Sequence, residues 1–223
     1  MRPTRVVPPG PLPSTSLALA REAACQLGWN GVVLPEMTLL GRKVHVVARL
    51  RTDAHAERIA TGMGPVIDRE TVSTWLWPEL AHTAPAPAAE IIGVLAVTRH
   101  WRTALAWAVP FSRYHAAAMV LPSSVTMTHD YVNNCLPRAR AYGLAVLSAN
   151  DDETVERDLP GAADRAILAA DAISRWIDEL VYEQLLATIE TPAADEAPVA
   201  EDDETQPEAV SDVRESENAA YEG

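Results

Sequence analysis

Apolar positions recur at helical spacing near the start of the chain. In "STSLALAREAACQLGWNG", Leu17, Ala20, Ala24 and Leu27 share one face, serines precede the run as caps, and Gly28 stops it. That pattern predicts a first helix. The period then drops to two. "VVLPEMTLLGRKVHVVARL" predicts two strands joined by a turn near Gly41. Residues 53–89 hold no sustained period. Within them, "DRETVSTWLWPEL" predicts a short helix capped by Asp68 and ended by Pro78, and "AHTAPAPAAE" a turn region.

The second half is more regular. "IIGVLAV" is a continuous apolar run, as expected of a strand covered on both faces. "WRTALAWAV" predicts a helix ending at Pro110, and "AAAMVLP" a strand. "TMTHDYVNNCLPRARAYG" predicts a helix that Pro137 kinks or delays and Gly143 ends. "LAVLS" predicts another strand. A long helix is expected over 162–188, with Ile167, Ala170, Ile173, Ile177, Leu180 and Leu185 in one stripe. Trp176 and Tyr182 lie off its centre, so the apolar arc is wide. One face is expected to dock on the sheet and the other to support self-association or a partner helix. Strands alternating with helices imply an α/β fold, a mixed sheet flanked by helices.

Charge divides the chain. From Ile189 to Gly223 there are 12 acids and one base, Arg214, a net of −11; the remainder carries 17 bases and 19 acids, a net of −2. The expected organisation is a proline-rich arm over 1–13, one α/β domain over 14–188 and a disordered acidic tail over 189–223. The tail reads as a solubilising end, or as an arm that mimics DNA and competes for a basic surface. Cys25 and Cys135 make no metal or disulfide framework and are expected as buried free thiols in a reducing cytoplasm. No apolar run approaches the roughly 20 residues of a membrane span. Prolines in "MRPTRVVPPGPLPSTS" stand where a signal peptide has its apolar core, so export is not expected.

Chemistry-bearing motifs are sparse. The six histidines, His45, His55, His82, His100, His115 and His129, show no ligand spacing for zinc. Neither phosphate-binding glycine pattern is present, and Ser123 and Ser124 lack the glycines of a nucleophile elbow. One stretch of short blocks is more telling. Trp101, Arg102, Ala104 and Leu105, then "MVLP", then Gly143 and Leu144, follow the apolar run in order. Together with the element order over roughly 16–150, they resemble the restriction-endonuclease-like fold of the PD-(D/E)XK nuclease superfamily.

The resemblance implies a hairpin strand that supplies a metal-binding aspartate and a next strand that supplies Glu-x-Lys. Two carboxylates would hold a divalent ion and the lysine would position the attacking water. In this sequence the hairpin "GRKVHVVA" has His45 at the aspartate, and "GVLAVTRHWR" has Leu95 at the glutamate and Val97 at the lysine. No acid lies between Ile91 and Trp101. A lone imidazole does not replace two carboxylates for a hard cation, so no catalytic residue, metal or cofactor is expected. The 40-odd residues between hairpin and buried strand depart from compact members of the family; with Trp75 and Trp77 they either cover the degenerate site or form an interface.

Three readings follow. The first is a catalytically inactive nuclease-like domain acting in binding or assembly, with DNA or a partner protein. The second is an active metal-dependent nuclease whose site has relocated to Glu22, Glu36 and Glu90. The third is an unrelated α/β structural or interaction protein. Arg99, Arg102, Arg113, Arg138 and Arg140 are the candidate phosphate contacts. The tail generates the first prediction. Ending the chain after Thr188 should leave the melting temperature almost unchanged, because a charged segment without apolar periodicity buries little; thermal unfolding of both forms checks it.

Overall fold

The first helix, α1, spans Ser16–Leu27. Its cap is Thr15, not a serine: the Thr15 hydroxyl accepts the Ala18 amide at 3.2 Å. Gly28 closes it in the left-handed region at φ 68°. The inner face is Leu19, Ala20, Ala23 and Ala24, with Leu17 and Leu27 half-buried at its margins. The face is therefore turned slightly from the expected one, because small alanines let the helix lie close on the sheet. The computed structural model describes residues 9–162 and 171–190.

The expected hairpin is present with one strand more than foreseen. Val32–Val33 (β1) and Met37–Leu39 (β2) both pair antiparallel with the long strand Arg42–Leu50 (β3). The register Leu39 against Arg42 leaves a two-residue turn of Leu40 and Gly41, at φ 51° and 69°. Two positive φ values are what a tight hairpin of this twist requires. The apolar run forms β4, Ala89–Val97, which pairs antiparallel with β3 and parallel with β5, Ala116–Pro122. Strand β6, Ala145–Ala149, continues the parallel part, and β7, Val155–Leu159, closes the far edge antiparallel. Among the described residues the result is a mixed seven-stranded sheet flanked by helices, an α/β fold.

One sheet face packs under α1, where Val47, Leu95, Val97, Ala118, Val120 and Leu147 meet the helix. Helices Trp101–Ala108 (α4) and Leu136–Ala141 (α6) cover the other face over β5 and β6. Between β5 and α6 lie the short helix Ser123–Thr126 (α5) and a π-helical turn, Tyr131–Cys135. Pro137 stands in the first turn of α6, where its missing N–H is not needed, so the helix is split and delayed as expected. Gly93 admits Trp29: a Cβ there would lie 2.3 Å from the indole ring.

The expected long helix is described as α7, Ala172–Glu190; Ile167 and Ala170, like the tail beyond Glu190, lie outside the described residues. Asp171 and Ser174 cap it reciprocally: the Asp171 carboxylate accepts the Ser174 amide at 2.8 Å and the Ser174 hydroxyl accepts the Asp171 amide at 2.9 Å. Ile177, Val181 and Leu185 face β3 and β4. Its second face is occupied within the chain. Residues 52–88 fold into Thr52–Thr61 (α2) and Arg69–Thr74 (α3); α3 packs on α7, and α2 reaches it through His55 and Arg58. Helix α2 was not foreseen. Helix α3 has the Asp68 cap, which accepts the Thr71 amide at 2.8 Å, but it ends four residues before Pro78. Trp176, on which the expectation of a partner helix rests, donates to the Ile67 carbonyl at 2.7 Å, and the Tyr182 hydroxyl is 2.8 Å from His55 Nδ1.

A buried ion cluster holds this segment. Both Arg58 terminal nitrogens reach Glu179, at 2.8 and 2.6 Å, and Arg175 reaches the same carboxylate at 3.0 Å. Arg58 also donates to the Ala86 carbonyl, and the Val66 amide donates to Glu179. Arg58 and Glu179 are 2% and 1% exposed. Removing the shared acid strands two desolvated guanidiniums. Glu179→Ala should therefore destabilise the fold by about 3–5 kcal/mol in urea unfolding, the usual cost of breaking a buried pair.

Candidate functional site

His45 sits at the middle of β3, and the strand register puts Leu95 of β4 directly opposite it. Val97 follows two residues on, so all three point to one side of the sheet. That side is the one covered by α1, which packs on Leu95 and Val97. The exposures of His45, Leu95 and Val97 are 1%, 0% and 6%. The strands thus bring the three positions together, in a sealed interior and not on an open surface.

His45 Nδ1 lies 3.0 Å from the Leu34 carbonyl oxygen. A carbonyl only accepts, so Nδ1 carries the proton and Nε2 presents a lone pair. Nε2 is buried and meets no hydrogen-bond partner. Burial holds the imidazole pKa below its ordinary 6.5, against the weaker opposing effects of the Leu34 bond and the Glu36 charge. The ring is neutral at physiological pH. Among the described residues no three His, Cys, Asp or Glu side chains are grouped to hold a metal ion.

The relocated acids are not brought together. Glu22, on α1, accepts from Gln26 at 3.0 Å. Glu36 lies one residue before β2 and pairs with Lys43 at 3.3 Å. Glu90, the second residue of β4, is held by Arg49 through two bonds, of 2.8 and 3.0 Å, and Arg51 stands 4.0 Å away. Five residues of strand, roughly 17 Å, separate Glu90 from Leu95. Arg49 draws the Glu90 carboxyl below its ordinary pKa, which keeps it ionised and paired. A cleft of about 520 Å3 lies beside it, lined by Arg49, Arg51, Asp53, Glu57 and Glu90 among others, and by none of His45, Leu95 and Val97.

Of the five candidate arginines, Arg102 and Arg138 share one aromatic ring. Arg99 and Arg102 follow the carboxyl end of β4, and Arg138 reaches the same place: the Trp101 ring lies 4.4 Å under the Arg102 guanidinium and 5.7 Å from that of Arg138. Arg113 lies three residues before β5, and Arg140 is two residues from Arg138 on α6. The gathered cluster also has an acid in it. Asp130 accepts from the Trp101 indole at 2.9 Å and from Asn134 at 2.7 Å, and pairs with Arg102 at 3.1 Å. No spacing in the sequence marks Asp130 as that partner, since 28 residues separate it from Arg102.

Two further expectations need correction. Cys25 is exposed on α1; Cys135 is buried, and burial pushes its thiol pKa up to about 12. The segment 52–88 packs against α7, on the sheet face away from His45, so it does not cover His45, Leu95 and Val97. Within it Trp75 is buried under Arg175, whereas Trp77 is 57% exposed. No described helix is long and apolar enough to cross a membrane. Comparison of the chain with protein-family models, with curated proteins and with solved structures gives no match.

The neutral histidine makes a prediction about pH. The folded-state pKa of His45 is lowered, so as pH falls through about 6.5 the unfolded chain takes up a proton that the folded chain refuses. Stability should therefore decline between about pH 6.5 and the lower folded value. Asp178 acts in the opposite sense: burial raises its carboxyl pKa to about 7, so the stability it contributes on the acid side is lost as pH rises through 7. The difference between wild type and His45→Leu isolates the first effect. In urea unfolding from pH 7.5 to 5, the variant should lose less stability than the wild type; parallel curves would contradict the assignment.

Proposed function

We propose that this chain is a catalytically inactive nuclease-like domain that acts in binding or assembly, with DNA or a partner protein. The observation that carries the reading is the pairing of His45 with Leu95 across β3 and β4, with Val97 beside them. The resemblance sets the aspartate, glutamate and lysine of a metal-dependent nuclease at these three positions. Here they carry one neutral imidazole and two aliphatic chains under a helix. The order α1, β2–β3 hairpin, β4, α4, β5 supports the same reading, since the resemblance calls for a helix, a hairpin, a buried strand, a helix and a strand.

The chemistry lost is specific. A divalent ion needs several oxygen ligands to polarise a phosphate and activate water. His45 offers one nitrogen in an apolar enclosure. A binding role needs none of that machinery. Arg99, Arg102 and Arg138 gather at the carboxyl end of β4, the place where open α/β sheets commonly receive ligands.

The test is direct. Purified protein should leave duplex and single-stranded DNA intact in magnesium or manganese. Cleavage that disappears in Glu22→Ala or Glu36→Ala would reverse the reading in favour of a relocated site. In the same preparation, Arg99→Ala with Arg138→Ala should weaken any DNA binding and lower its salt dependence if that end of the sheet is the contact surface.

A further inference from the structure

The segment 52–88 does more than cover α7, because it leaves a groove open beside it. Helix α2 and the last turns of α7 enclose about 400 Å3, lined chiefly by Leu50, Ile59, Met63, Tyr182, Leu186 and Ile189. Three of these are large apolar side chains left in water: Ile59 is 66% exposed, Met63 39% and Ile189 52%. The floor is rigid, since Arg58 is fixed on Glu179 and lies 5.1 Å from the Tyr182 ring, whose hydroxyl is fixed on His55. A firm apolar groove of this size is the form a docking site takes.

The charges beside the groove select what enters it. The α7 wall is acidic on its outer surface. Helix α7 exposes Glu183 and Glu190, the latter on the lining itself, whereas Asp53 and Glu57 of α2 line the neighbouring cleft with Arg49 and Arg51. Each helix has a single base, Arg58 and Arg175, and both are buried on Glu179. The lining therefore presents apolar side chains and the Glu190 carboxylate, and its one arginine, Arg58, is buried on Glu179. Nucleic acid is repelled by such a surface. Its complement is an amphipathic helix whose apolar stripe fills the groove and whose lysines and arginines meet the carboxylates.

We propose that the α2–α7 groove is the docking site for a basic amphipathic helical segment of a partner protein. Ile59, Met63, Leu186 and Ile189 receive its apolar side chains, and Glu183 and Glu190 pair with its cations. Helix α2 has ten residues, about 15 Å of length, so the groove matches about three turns of such a helix. The proposal is independent of the loss of catalysis, because DNA cleavage and peptide binding are separate measurements.

The full chain is titrated into a fluorescently labelled Leu–Lys peptide of about 14 residues with one apolar face, and into a Leu–Glu peptide of the same pattern. The expected result is saturable one-to-one binding of the Leu–Lys peptide that weakens with salt, and none of the Leu–Glu peptide. Ile59→Lys with Ile189→Lys, both at exposed positions, should weaken binding at least about tenfold, as loss of a central apolar contact does. Glu183→Gln with Glu190→Gln should flatten the salt dependence and leaves the apolar lining intact, so the test survives if the lysine variant folds poorly. Absence of saturable binding, equal binding of the Leu–Glu peptide, or unchanged affinity in both variants overturns the proposal. So does wild-type dimerisation in sedimentation that Ile59→Lys with Ile189→Lys abolishes, since the occupant is then a second copy of the chain.

Discussion

A single carboxylate, Glu179, ties together parts of the chain that local propensity alone would leave apart. It is buried, and it takes its hydrogen bonds from Arg58 of α2, Arg175 of its own helix and the Val66 backbone. Any one of these charges alone in that interior would be strongly disfavoured. Together they give the segment 52–88 one place to lie, and its apolar side chains close α7 on the side away from the sheet. The same arrangement uses up the bases of α2 and α7, which leaves their exposed surfaces acidic. An internal neutralisation thus sets the charge of an external surface.

The sheet depends on a second constraint, the register of β3 against β4. Side chains alternate across a strand, so sliding by one residue would place His45 on the α7 face and bring Val44 or Val46 under α1. The two-residue turn at Leu40 and Gly41 pins β2 to β3, and the shift between Val47 and Ala48 takes up the mismatch with β4. His45 is therefore sealed beside Leu95 by the geometry of the sheet. Burial then deprotonates it, and the Leu34 carbonyl chooses which nitrogen keeps the proton.

Much of this was legible in the residues where one interaction dominates. The apolar run of β4, the Gly28 stop, the Asp68 cap and the displacement at Pro137 are each local, and each is found. What was not legible depends on distant partners. Helix α2 is poor in apolar residues and its key inward residue is Arg58, a charge that reads as solvent-facing until Glu179, 121 residues away, is brought against it. Strand β7 reads as polar because Glu156, Arg157 and Asp158 are exposed at an edge, with only Val155 and Leu159 inward. Of the five arginines, Arg102 and Arg138 meet at the Trp101 ring, a contact between α4 and α6 that no spacing in the sequence announces. Of the candidate site, the alternation of the strands puts His45, Leu95 and Val97 on one sheet face, but nothing in their local sequence shows that α1 encloses them.

Gly93 and Trp29 show how far such constraints reach into the history of a sequence. The indole lies in the space a side chain at 93 would fill. Neither position is free to change alone: a larger residue at 93 must expel the ring, and a smaller residue at 29 opens a void beside the central strand. The pair should pass through evolution as a unit, a correlated substitution that marks descendants of this arrangement even where their loops and surfaces have diverged.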